Sequence, residues 1–463
     1  MLLRMDRTAS AKCRPPLAQP SFALGPSRVR LGPATSSDGL IRLVSPLAAP
    51  DHVTGLPSRS SLLERVGRAI AAGPAALLVL KLDRLAEVND TLGHAVGDAM
   101  LAIAAARLQD TVCAPDLVGT LGGAGFALLV PGIATAAAAE ALADRLVDRL
   151  SRPYLIGDIL ASSGAAAGFA LAPRDGQSAA DLLRRAALAL DTARKSHGLP
   201  RAAGFSPEQE EATRRRLATE AALRQALAAE EFELHYQPQV ALRGGAILGF
   251  EALIRWRRDG MLIPPGGFLP TAEDSGLILP IGAWALREAC RVATGWARPL
   301  TVAVNVAAHQ FADGRLVRDV QAALDTAGLP PARLELEINE SALLRHGAQT
   351  LEQLRALRAM GVRIAMDDFG TGYASLSQLR AFPFDRLKID RSFVSEVAQG
   401  GSGAAIVTAI AELGARMGLE TVAEGVETPS QLEALRQRGC RIAQGFLLGR
   451  PAPADQLAGL LAA

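Results

Sequence analysis

At 463 residues the chain is long enough for two or three domains, each able to bury its own core. Its 49 Lys and Arg nearly cancel 47 Asp and Glu, which excludes the basic excess of a protein that coats a nucleic acid polymer or an anionic membrane. Four scattered cysteines argue against a zinc or disulfide framework, and no run reaches the about 18 apolar residues of a membrane helix or forms a secretory signal, so the expected compartment is a reducing cytoplasm.

Residues 1–45 are rich in Pro, Ser, Gly and Arg without any period, which predicts a disordered tail. Over residues 46–200 the pattern becomes globular: a strand-like run from Ala76 to Leu82, a helix-like stretch after His94, and a second strand-like run from Phe126 to Val130 behind a glycine pair. This predicts a compact α/β domain. Residues 201–229 carry Gly, Pro and basic residues and then a charged stretch from Glu208 to Ala229, read as a linker and helical connector.

From residue 230 to 463, short apolar runs alternate with helix-length segments, the rhythm of a (β/α) barrel. Thr301 to Val304 runs into Asn305, Leu334 to Ile338 carries Glu335 and Glu337, and Val362 to Met366 runs into Asp367 and Asp368. Arg386 to Ile389 leads to Asp390, and Glu420 to Ala423 leads to Glu424. In a barrel the carboxyl ends of the strands share one rim, where active sites of this architecture sit. A single acid after a strand is usually a helix cap. Glu251, Asn305, Glu337, Asp367, Asp368 and Glu424 together would repel one another unless cations sat among them. Oxygen ligands suit magnesium or manganese, and no histidine cluster argues for zinc. Adjacent Asp367 and Asp368 suit a two-metal site, and Lys388 and Arg255 add positive charge for a phosphate and a water, which points to metal-assisted phosphodiester cleavage.

Glu251-Ala252-Leu253, followed by Ile254-Arg255-Trp256, resembles the signature of EAL-domain cyclic di-GMP phosphodiesterases. The resemblance extends through Tyr236-Gln237-Pro238, Asn305, Glu337-Ile338-Asn339-Glu340, Asp367-Asp368-Phe369-Gly370-Thr371-Gly372, Lys388-Ile389-Asp390, Glu424-Gly425-Val426-Glu427 and Gln444-Gly445-Phe446. It implies a TIM-like (β/α)8 barrel that hydrolyses cyclic di-GMP to linear pGpG. Glu251, Asn305, Glu337 and Asp367 would bind one metal, and Asp367, Asp368 and Glu424 a second. Lys388 and Glu424 would activate water. Arg255, Gln237 and Asp390 would hold substrate, while Glu340, Glu427 and Gln444 would brace the rim. Asn339 stands where the family usually has Thr. The resemblance also implies a homodimer. A non-catalytic cyclic di-GMP receptor is the alternative reading.

Asp51-His52-Val53-Thr54-Gly55-Leu56 and Asn89-Asp90-Thr91-Leu92-Gly93-His94 resemble a GGDEF diguanylate cyclase domain, which implies a nucleotidyl-cyclase-like α/β fold with an antiparallel-rich sheet. Here the signature reads Gly122-Gly123-Ala124-Gly125-Phe126, so both carboxylates are missing, and Lys81 stands where a metal-binding Asp is expected. A cation there reverses the local electrostatics, so no cyclase activity is expected. Cys113 precedes Asp116 where the product-inhibition site needs Arg, so that site is expected to be lost. Asn89 and Asp98 match guanine-contacting positions and leave room for GTP as a regulator.

Overall fold

A computed structural model of the chain describes residues 50–195, 201–340, 342, 347–370 and 376–462. The tail expected over residues 1–45 lies outside them, as do Thr371 and Gly372.

Helix α1 (Arg59–Ala72) leads into β1 (Ala75–Leu82), then α2 (Leu85–Leu92) and α3 (His94–Gln109). There follow the hairpin of β2 (Leu117–Gly122) and β3 (Gly125–Pro131), α4 (Ala136–Ser151), the hairpin of β4 (Tyr154–Ile156) and β5 (Ile159–Ala161), β6 (Ala165–Ala172), α5 (Ala179–Lys195) and β7 (Ala202–Gly204). The central sheet has five strands in the order β2-β3-β1-β6-β7, and only the β6–β7 pairing is parallel. β1 is apolar at nearly every position because helices cover both its faces. Leu78 and Leu80 pack toward α3 and α4, and Leu77 and Val79 toward α1 and α5. Gly168 lets α5 lie directly on the sheet, because a Cβ there would come within 2.0 Å of the Leu190 amide nitrogen.

β7 lies inside the segment 201–229 that the sequence assigned to linker and connector. Ala202 to Gly204 pair with β6 and so belong to the sheet, a short edge whose small residues give no apolar alternation to read. The connector proper is helix α6 (Pro207–Ala228), started by a Ser206–Gln209 capping box with Pro at its first turn. Its C-terminal half buries Leu223 and Ala226 against Phe232, Trp256, Phe268 and Ala272 of the second unit.

The second unit opens with the hairpin of β8 (Phe232–Ala241) and β9 (Ile247–Arg258), with β10 (Met261–Ile263) folded back on β9. After α7 (Leu269–Asp274) and α8 (Ile278–Thr294) come β11 (Thr301–Val306), β12 (Leu334–Asn339), β13 (Arg363–Phe369), β14 (Arg386–Ile389), β15 (Glu420–Ala423) and β16 (Ile442–Ala443), separated by helices. β8, β9 and β11 to β16 close into an eight-stranded barrel. Strands β9 and β11 to β16 run parallel, and β8 is antiparallel to both its neighbours. The reversal follows from the short β8–β9 turn, where Gly244 and Gly245 take φ of +83° and +71°; a tight turn joins only antiparallel strands. Along each parallel strand, alternate residues such as Leu336, Ile338, Met366, Leu387 and Ile389 pack outward on the helices, which leaves the intervening polar residues facing the barrel axis.

Candidate active site

That alternation brings Glu251 of β9, Asn305 of β11, Glu337 of β12, Asp367 of β13, Lys388 of β14 and Glu424 just after β15 to the carboxyl-terminal rim. Asn305 and Glu337 are direct partners across β11 and β12, and Asn339 and Asp367 across β12 and β13. Strict alternation would turn Asp368 away from Asp367. The β13–β14 register instead shifts between Met366 and Phe369, and Asp368 adopts φ +53°, so both carboxylates face the cleft. Gly425 holds the turn after Glu424 at φ +69°, where a Cβ would approach Arg391 Cβ to 2.6 Å.

The Lys388 ammonium, 1% exposed, is the hub. It lies 2.6 Å from Glu337, 2.6 Å from Glu424, 3.1 Å from Asp367 and 3.6 Å from Glu251. Burial would depress it, but these four acids hold it well above its ordinary range. One ammonium cannot balance four carboxylates, two of them buried and two half-buried. Burial, then Glu251, pushes Glu337 well above the ordinary range. Burial, and then Asp367 and Glu251 against the pull of Lys388, raises Glu424 to about 8. Burial, Asp367 and Asp390 raise Asp368 to about 6. Glu251 is held low against the push of burial by Lys388 and by hydrogen bonds that include Gln444 Nε2 at 2.5 Å and Asn305 Nδ2 at 2.7 Å.

Protons are one answer to this excess charge and a divalent cation is another. Asp367, Asp368 and Glu424 present oxygens within 4.8 Å of one another. Asp367 Oδ1 is buried and accepts no hydrogen bond among the described residues; its contact there is with the Lys388 ammonium. Such all-oxygen donors fit a hard cation of the magnesium or manganese type.

The rim acids stand at the seam of two cavities. The larger, about 820 Å³, runs from Glu251, Asn305, Glu337, Asp367, Asp368, Asp390 and Glu424 to an apolar wall that includes Leu269, Ile278 and Ile281. The smaller, about 330 Å³, is lined by Gln237, Arg255, Lys388, Glu427, Gln444 and Phe446. Asp390 also caps the helix Arg391–Glu396, accepting from the Ser392 amide at 2.9 Å. Gln237 has both ends of its amide engaged within the protein. It donates to the Gly449 carbonyl at 3.0 Å and accepts from Gln444 at 3.0 Å, so here it steadies Glu251 through Gln444. Asn339 accepts from the Ala342 amide at 3.2 Å, a cap that a Thr hydroxyl could also make. Glu340 is buried beside it at the end of β12.

Sequence reading missed the polar residues one step below the rim: Gln239, buried Glu335 as a site element, and Arg386. Their signal was period-two alternation: Glu335 and Arg386 stand two positions before Glu337 and Lys388, and Gln239 two positions after Gln237 on the oppositely directed β8.

In the first unit, Lys81 near the end of β1 lies directly opposite Gly125 across the sheet, and Ala124 packs against the domain core. Gly122 and Gly123 form the β2–β3 turn at φ +92° and +54°. The nearby Asp83 is bound by Arg201 at 2.6 Å. Asn89 on α2 and Asp98 on α3 are present, and the Asn89 amide oxygen is packed against Gly97.

A family model described as "EAL domain" matches residues 220–451, and one described as "Diguanylate cyclase, GGDEF domain" matches residues 48–198. The chain is 43% identical over 434 residues to the bifunctional diguanylate cyclase/cyclic di-GMP phosphodiesterase MucR of Pseudomonas aeruginosa, covering 92% of this chain and 63% of that protein. It is 36% identical over 427 residues to the cyclic di-GMP phosphodiesterase NbdA of the same organism, covering 90% of this chain and 54% of the relative. An uncharacterized signaling protein of Caulobacter vibrioides is 43% identical, and the chain spans 52% of its length. The chain thus spans half to two thirds of these relatives. Among solved structures, the MucR phosphodiesterase in complex with c-di-GMP matches 52% of this chain and 99% of its own, at 48% identity and a TM-score of 0.50.

Proposed function

The chain belongs to the EAL-domain proteins, with a GGDEF domain ahead of the barrel, and from that premise we propose that the barrel hydrolyses cyclic di-GMP to linear pGpG. The observation that carries the reading is the set Asp367, Asp368 and Glu424, with oxygens within 4.8 Å, beside buried Lys388 at the seam of two cavities. Glu251, Asn305, Glu337 and Asp367 would hold one magnesium or manganese ion, and Asp367, Asp368 and Glu424 a second. Bound there, the ions supply Lewis-acid polarisation of the phosphodiester and of a water.

The protein's own groups do the rest. Two cavities flanking one charged seam suit a ligand with a base on either side of its phosphates. Arg255 borders the smaller cavity as a phosphate partner, and Asp390 borders the larger as a base acceptor, with Gln237 in the wall. Lys388 orients the attacking water, and Glu424 accepts its proton. The water oxygen forms the new bond to phosphorus, the bond from phosphorus to the ribose 3′-oxygen breaks, and that oxygen takes a proton from solvent while Glu424 releases to solvent the one it accepted. Glu340, Glu427 and Gln444 hold the rim in place. The first domain, with Lys81, Ala124 and Gly125 where the cyclase chemistry needs acids, makes no cyclic di-GMP and acts as a regulatory unit, with GTP as its candidate ligand.

Purified full chain with manganese should convert cyclic di-GMP to pGpG, and Glu251→Ala should abolish turnover. Tight binding without turnover in the unaltered chain would replace the hydrolase by a receptor. Cyclic di-GMP formed from GTP would overturn the reading of the first domain.

A further inference from the structure

The barrel hollow is filled in two tiers. Two residues before Glu337 and Lys388 on their strands stand Glu335 and Arg386, and Gln239 and Glu420 reach the same level from β8 and β15. A barrel of this type ordinarily packs its interior with branched apolar side chains. Here the lower tier is a buried ion pair: Arg386 is 2% exposed and Glu335 fully buried. The Arg386 Nη1 lies 3.1 Å from Glu335 Oε1 and 2.9 Å from Oε2, and donates to Gln239 Oε1 at 3.3 Å. Its Nε donates to Glu420 Oε2 at 2.8 Å.

One side chain therefore ties β8, β12 and β15 to β14, two residues from the Lys388 hub. Gln239 carries the tie upward. A guanidinium only donates, so it takes the amide oxygen of Gln239 and leaves the amide nitrogen facing Glu337 Oε1, at 3.5 Å. The other Glu337 oxygen meets Lys388 at 2.6 Å. A buried ion pair is a poor source of stability, since well-packed apolar residues generally serve as well. Its value here lies in direction: a planar fork fixes several acceptors at once, which apolar packing does not.

We propose that Arg386 is a positioning residue for the acidic rim, fixing Glu337 and Lys388 through Gln239 and through the strands it ties, and thereby setting the affinity for the divalent cation. The inference rests on the reading of the rim as a cation site. The test is direct manganese binding to the full chain, followed by the spin-resonance signal of free Mn²⁺, with thermal melting in parallel. Arg386→Met leaves Glu335 buried and unpaired, and should lose both stability and manganese affinity. The double variant Arg386→Met/Glu335→Leu removes both charges; it should recover its melting temperature yet bind manganese about tenfold more weakly than the unaltered chain. Recovery of affinity together with stability would overturn the proposal by reducing Arg386 to a structural role. Should the double variant not fold, Gln239→Met, which deletes no charge, should still weaken manganese binding several-fold, and unchanged binding would overturn the proposal. Failure of the unaltered chain to bind manganese would overturn the cation site itself, and this inference with it.

Discussion

The Lys388 ammonium and the acids around it couple stability to pH in a definite direction. Glu337, Glu424 and Asp368 all titrate above their ordinary range in the folded chain, Glu424 at about 8 and Asp368 at about 6. In that window the folded state holds more protons than the unfolded one, so their contribution is fully present below about pH 4 and is lost as pH rises toward 8. Metal-free protein should therefore show a falling contribution from this site between those limits, and magnesium or manganese, which binds the deprotonated acids, should raise the melting temperature more at pH 8 than at pH 6. Thermal melts at both pH values with and without the ion check this; an equal shift at both would contradict it. Asp368 adds a second prediction. Asn tolerates the left-handed backbone found there, so Asp368→Asn should keep its melting temperature while losing manganese affinity by about tenfold or more. Calorimetric titration reads the affinity.

Helix α6 shows how an element with a polar sequence is nonetheless a part of the core. Leu223 is fully buried among Phe232, Trp256, Phe268 and Ala272, and Ile278 and Ile281 of the same cluster reach the larger cavity. Leu223→Ala should cost about 2–5 kcal/mol, seen as a lower denaturation midpoint of the barrel. A midpoint unchanged from the parent would show that the helix does not pack there. The connector helix itself was legible, as were the strands that carry Asn305, Glu337, Asp367 and Lys388, because apolar runs ending in acids survive as local patterns. The reversed direction of β8 was not, since it depends on which strands the Gly244–Gly245 turn joins. Nor was the bulge at Asp368, a departure from alternation that no propensity encodes. The Arg386–Glu335 pairing was hidden for a different reason: alternation puts each residue two positions below the rim, but that a guanidinium and a carboxylate on separate strands face each other shows only once the barrel closes.

Across the whole molecule the two units divide by chemistry. The barrel gathers acids from strands β9 to β15 around one ammonium, whereas the first sheet sets Lys81 opposite Gly125 and ties Asp83, the residue after β1, to Arg201. Helix α6 belongs to both, its Glu210 paired with Arg184 at 2.6 Å and its far end in the barrel core. The proposed hydrolysis turns on water attacking phosphorus at the rim of the barrel. Its most direct test is turnover of cyclic di-GMP by the full chain and manganese in ¹⁸O-water, read by mass spectrometry. One ¹⁸O in the 5′-phosphate of pGpG is the predicted result, while cyclic di-GMP recovered intact and unlabelled from a tightly bound complex would contradict it.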